Sequence, residues 1–238
     1  MSAGVIGFLI VALLAVFFLL IFGGLVFLLI RIGLRNKENL KKRSVELRAL
    51  ADSMAFDFQE RASLDALPAI HEVETFEGTP AFFENLMTGA VEGHRVAVFD
   101  FAYTNIGAGT TGTTTSRQTM CLLETGQVEL PRFYVRPEGI LEKALRFAGR
   151  KDIDFPEFPV FSGCFLLFGD EESAIRRVFS PDLVRFFEQN SVLAATASGK
   201  NLFVFRSRYV ANPHEIKGYI STSLAIARML ASKIGTLA

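Results

Sequence analysis

From Gly4 to Ile30 the chain runs 27 positions without a charged side chain, and apolar residues lie on every side of the run. A hydrocarbon core of about 30 Å takes roughly 20 helical residues, because each adds about 1.5 Å. The pattern predicts one tilted membrane span and leaves no room for two. A cleaved signal peptide would need a basic leader, a shorter apolar stretch and a small-residue cleavage site. Here Met1, Ser2 and Ala3 bring only the α-amino charge, and Arg31 follows the run directly. A retained anchor is the expectation. Ala3, Gly7, Val11, Ala15 and Gly23 fall at multiples of four. Such a stripe suits either close helix pairing or a lipid-facing helix with incidental small residues.

Beyond the run, Leu40, Leu47, Leu50, Ala51 and Met54 mark one face of an uninterrupted stretch from Asn36, an amphipathic helix that continues or follows the span. Residues 59–82 mix acids, Pro and Gly with little periodicity and read as a linker. His94–Thr104 alternates as a strand, with Ala97, Phe99, Phe101 and Tyr103 on one face. Arg117–Glu124 returns as its hairpin partner across the Gly/Thr-rich tip 105–115, and Gln127–Val135 is a third candidate strand. A helix is predicted over Ile140–Ala148, closed by Gly149. Val160–Phe168 reads as a short buried strand. Asp170 is placed to cap one helix, and Ser180-Pro181 to start another. Ser191–Ala197 and Leu202–Tyr209 flank a second hairpin, and Asn212-Pro213-His214-Glu215 opens a terminal helix.

Strands joined mainly by hairpins favour antiparallel pairing, so the fold class is α+β. The expected organisation is a transmembrane helix at 1–30, a basic juxtamembrane helix and linker at 31–81, and a mainly antiparallel sheet domain with packed helices and a C-terminal helix at 82–238.

Charge sharpens this picture. Between Arg31 and Arg48 there are seven basic residues against two acidic, a net of +5; residues 49–238 hold 18 basic and 23 acidic, a net of −5. The positive-inside rule puts the basic flank in the cytoplasm and the N-terminus outside. The same collar, Arg31 to Arg48, should draw anionic headgroups at about 1 kcal/mol per basic residue. An acidic domain without a basic face argues against nucleic acid. With 24 Phe and no Trp, aromatic bulk falls on a ring that has no polar handle to satisfy.

Candidate chemistry is sparse. The loop GAGTTGTTT at 107–115 lacks the lysine of a Walker loop and the spacing of a dinucleotide fingerprint, so a hairpin tip is the stronger reading. Asp100 lies on an apolar strand face with Val96, Val98 and Ala102, where a carboxylate needs a partner or carries a function. Arg117 on the paired strand offers a structural ion pair. His71, His94 and His214 have no second ligand at metal-binding spacing. Ser162-Gly163-Cys164 lacks the preceding glycine of a nucleophile elbow. Cys121 and Cys164 read as buried free thiols. Asp170, Glu171 and Glu172 resemble a divalent-metal cluster, but acids at a helix N-terminus need no metal. No catalytic, cofactor-binding or metal residue is assigned.

The segments FDFAYT, RQTM, LPRFYVRPE, DIDFPEFPVFS and LFGDEESAIRRVFS, together with the preceding span, resemble a family of bacterial membrane-anchored proteins of uncharacterised activity. The resemblance covers roughly residues 80–210. It implies a single-pass protein of the bacterial inner membrane and supplies no site residues. The expected function is a membrane-tethered, non-catalytic protein-binding module, either a scaffold or an accessory subunit of a larger membrane complex. Two alternatives stand beside it: an enzyme with a site near Asp100 or Asp170–Glu172, and a domain that binds a lipid or another apolar ligand.

Overall fold

The computed structural model describes residues 3–71, 79–106, 113–138 and 152–234. The chain divides into two compact units, Met1–Glu46 and Leu47–Ala238. Helix α1 runs from Ala3 to Ser53. In the first unit its described apolar side chains, from Phe17 through Leu34, are exposed. Among the described residues, no helix is long and apolar enough to cross a membrane.

The second unit is built on one antiparallel sheet. Among the described residues it has eight strands: β1 (Asp57–Ala62), β2 (Thr79–Val91), β3 (His94–Ile106), β4 (Thr113–Glu124), β5 (Leu130–Pro137), β6 (Phe165–Gly169), β7 (Ala194–Gly199) and β8 (Asn201–Phe205). Their order is β1-β2-β3-β4-β8-β7-β5-β6. The helices are α2 (Pro159–Cys164), α3 (Glu172–Val178), α4 (Pro181–Gln189) and α5 (Ile216–Ile234). This is the α+β architecture that the hairpin-rich pattern predicts, with the expected C-terminal helix.

Two hairpins stand where the alternation places them. β3 and β4 pair from Val96↔Leu123 to Ile106↔Thr113, so both strands run further into the Gly/Thr segment than expected; residues 107–112 of the tip lie outside the described residues. β7 and β8 pair across Lys200, within different bounds than expected: residues 191–193 and 206–209 lie outside the strands. Helix starts are equally well marked. Ser180 accepts a hydrogen bond from the Leu183 N–H, with Pro181 at the first helical position. Asn212 and Glu215 form a reciprocal capping box ahead of α5.

Four expectations need correction. Residues 59–62, read as the start of the linker, belong with 57 and 58 to edge strand β1 against β2, and the linker region continues in two 3-10 turns, Leu64–Ala66 and Pro68–His71. Strand β2, which the sequence pattern does not mark, is as long as β3 at 13 residues; its register slips twice, and those slips break the alternation that would have flagged it. Residues 159–164 are helical, with Pro159 at the first position, and only Phe165–Gly169 is strand. Asp170 caps nothing: Glu171 holds the cap position of α3 without a side-chain bond, and Asp170 lies 3.9 Å from Arg132. The helix expected at 140–148 lies outside the described residues.

Both sheet faces are covered. One face carries Val96, Val98, Cys121, Leu123 and Val204 and packs against α2 to α5 and the end of α1, where Leu47 and Ala51 are buried. Phenylalanines fill this layer: Phe161 stacks on Phe165 at 5.1 Å, and Phe133 meets Phe179 edge-on at 5.1 Å. The other face carries Ala97, Phe99, Phe101, Tyr103, Met120 and Leu122 and is packed by Ile70, Leu64 and Leu67 from the 3-10 segment. β3 is therefore apolar at odd and even positions alike, as a strand buried on both sides must be.

Candidate functional site

The backbone register decides what surrounds Asp100. It lies opposite Glu84 on β2 and Thr119 on β4, which sets three polar side chains in a row on the helix-covered face. Asp100 is only 3% exposed. Thr119 Oγ1 donates to its Oδ1 at 2.6 Å and Asn85 Nδ2 to its Oδ2 at 2.9 Å. Asn85 reaches it because β2 bulges between Glu84 and Met87, which turns Asn85 into the left-handed region at φ 51°. Thr119 in turn accepts from the Ala211 N–H at 2.9 Å, and the Thr119 N–H donates to the Tyr209 carbonyl at 2.8 Å. The carboxylate thus ties three strands to the segment that leads into α5.

Arg117 makes its ion pair with Glu84 rather than the expected one with Asp100, whose charge it still feels. In register it faces Ala102, and it donates to Glu84 at 2.6 Å, a half-buried pair whose hydrogen bond holds the guanidinium more firmly protonated. Tyr219 is buried, which pushes its phenol pKa up, and among the described residues its hydroxyl has no hydrogen-bond partner. A buried carboxylate that accepts from Thr119 and Asn85 acts as a structural clasp between strands. As an acid, a base or a nucleophile it would first have to give up these bonds.

The remaining candidates are dispersed. His94 Nδ1 lies 3.1 Å from the Glu124 carbonyl, His71 closes a 3-10 turn, and His214 sits in the turn before α5. Among the described residues no three His, Cys, Asp or Glu side chains converge as a metal site. Glu172 pairs with Arg176 at 2.8 Å within α3, whereas Glu171 sits 3.9 Å from Arg177. Both cysteines are free. Cys121 is buried and its thiol is pushed up to about 12 by desolvation; Cys164, expected to be buried in a strand, is exposed at the end of α2. Ser162 is engaged with Phe155, donating to its carbonyl and accepting from its N–H.

What no local motif announces is a cleft of about 380 Å³ on the second sheet face. Its floor is a row across four strands, Asp57, Thr88, Ala97 and Leu122, each directly opposite the next. The following row, Ala90 and Arg95, with Glu124 beside them, forms the rim, and Leu67 forms a wall. The depression exists because Thr88, Ala90 and Ala97 are small where the adjoining row carries Leu86, Phe99 and Met120. One side is continuous with the apolar layer. The other presents Asp57 and the Arg95–Glu124 ion pair at 3.3 Å. The only sequence signal is three small residues spread over two strands, which becomes meaningful once the register is known.

No family model matches the chain, and no curated protein matches it either. Among solved structures, the chain is similar in fold to the mycobacterial trehalose monomycolate transport factor A, TtfA, with a TM-score of 0.53 and 16% sequence identity. The likeness covers 80% of this chain and 94% of that one. The shared feature is the fold.

Proposed function

We propose that this protein is a membrane-tethered, non-catalytic accessory factor of a lipid-transport assembly. The observation that carries the tether is the 27-residue charge-free run followed at once by a +5 flank. The exposure of every described large apolar side chain from Phe17 to Leu34 supports it, because a surface of that size is stable only when lipid or protein covers it. Orientation follows from the charge: N-terminus outside, Arg31 onward in the cytoplasm of a bacterial inner membrane, with Arg31–Arg48 against anionic headgroups.

Likeness in fold to a transport factor for a mycolate glycolipid favours lipid transport over other membrane assemblies. The engagement of Asp100 with Thr119 and Asn85 favours a factor that acts by contact over one that turns a substrate over. Tethering alone raises the effective concentration of a partner in the same membrane, so a modest interface suffices.

The test is extraction and cross-linking in a bacterium that carries the full chain. The protein should stay with membranes after high salt, come out with mild detergent, and cross-link to an integral membrane protein whose loss disturbs export of an envelope lipid. Release by salt alone, or full function from residues 47–238 without the preceding helix, would overturn the proposal.

A further inference from the structure

We infer that the cleft on the second sheet face binds a single-chain amphiphile with an uncharged, hydroxyl-bearing head. This deepens the lipid-transport reading and rests on it for the choice of an amphiphile. The cleft has two chemically different sides. Ala97, Leu122 and Leu67 offer apolar surface continuous with the core layer around Phe99 and Met120. Asp57, Arg95 and Glu124 offer the polar side. A volume of about 380 Å³ lies at the small end of small-molecule sites, roughly 300–1,000 Å³, so a head and its first few carbons fit and a whole acyl chain does not.

The polar side selects the head. Two carboxylates and one guanidinium oppose an anionic head, because the single cation is already paired with Glu124 at 3.3 Å. All three groups are at or near the solvent surface, so a cationic head gains little from the one surplus negative charge after screening. What such a set does well is directional: carboxylates accept and guanidinium donates. Vicinal hydroxyls, each both donor and acceptor, are the complement.

The probe is hexyl β-glucoside below its micellar concentration, titrated against the full chain in phosphatidylcholine nanodiscs and followed by saturation-transfer NMR on the ligand. Empty nanodiscs report simple partitioning. We expect saturable binding that exceeds the empty-disc signal, with glucose alone and hexyl phosphate each at least ten-fold weaker. Ala90→Trp, at an exposed rim position, fills the mouth and should weaken binding at least ten-fold; Glu124→Gln removes an acceptor charge without adding bulk and should weaken it several-fold. Should Ala90→Trp fail to fold, Glu124→Gln decides. A signal equal to that of empty discs, binding unchanged in the folded variants, or hexyl phosphate or hexyltrimethylammonium bound as tightly as the glucoside would overturn the inference. Such a failure leaves extraction and cross-linking behaviour unchanged, so it is distinct from failure of the tether.

Discussion

Gly89 offers the sharpest test of how the end of α1 and the start of β1 are locked onto the sheet. It sits within β2 opposite Val96, and any Cβ placed there would overlap the ring of buried Phe56. Phe56 is itself fixed by its N–H, which donates to the Ala51 carbonyl at 2.9 Å. In an ordinary strand, Gly→Ala stabilises by roughly 0.5–1 kcal/mol, because glycine loses more freedom on folding. Here the overlap should dominate: overpacking a well-filled site costs about 1–3 kcal/mol. For a unit of this size that corresponds to a drop in Tm of about 2–4 °C per kcal/mol. Urea or thermal unfolding of Gly89→Ala measures it. In a Phe56→Ala background, itself about 3–5 kcal/mol less stable, the ring is gone and Gly89→Ala should become neutral or stabilising. The cycle should therefore show a coupling of at least about 1 kcal/mol. A neutral Gly89→Ala in the parent, or strict additivity, would refute the packing described for Phe56.

Asp100→Ala should cost about 1–3 kcal/mol for each buried donor it strands, Thr119 and Asn85, read by denaturant unfolding. A native-state maleimide titration should label one thiol quickly, Cys164, while Cys121 reacts only on unfolding because burial holds it protonated. Glu215 is held below the ordinary carboxylate range, first by the Tyr209 hydroxyl and then by the Asn212 N–H. A folded pKa below the unfolded one means the stabilisation is present above the ordinary glutamate value and is lost as pH falls through the lowered one. Glu215→Gln should therefore flatten the acid side of the stability profile, and an unchanged acid limb would count against the clasp.

Much of the second unit is legible in its sequence, and the illegible parts share a cause. The β3–β4 and β7–β8 hairpins, the Ser180 cap and the Asn212–Glu215 box depend on residues close in sequence and are all found, with hairpin strand ends displaced by up to four residues. β1 was hidden because an edge strand guarded by Asp57, Glu60 and Arg61 has the composition of a linker. The apolar run at 160–168 is ambiguous, since a run that short fits a strand or a buried turn of helix, and Phe161 needs burial either way. Asp100 could be picked out as a buried carboxylate, but its partners could not. Choosing Thr119 over Arg117 is a matter of register, and a shift of two residues would have delivered the arginine. The cleft has the same character: its floor is one rung of four strands, and a rung has no signature along a single chain.

The strand order carries a consequence for synthesis. β4 finds its second neighbour only in β8, pairing Leu122 with Phe203 and Leu123 with Leu202. On a ribosome adding roughly 5–20 residues per second, about 80 residues separate the emergence of these partners, so the nascent β4 edge waits on the order of 4–16 seconds. During that interval the β1–β4 meander can close upon itself but presents Met120, Cys121, Leu122 and Leu123 as an open apolar border. If the tether proposed above operates during synthesis, it would hold the growing chain at the bilayer while this edge waits. The border that β8 later occupies would then be kept from its copies on other nascent chains, so the proposed tether would serve assembly before it serves the finished protein.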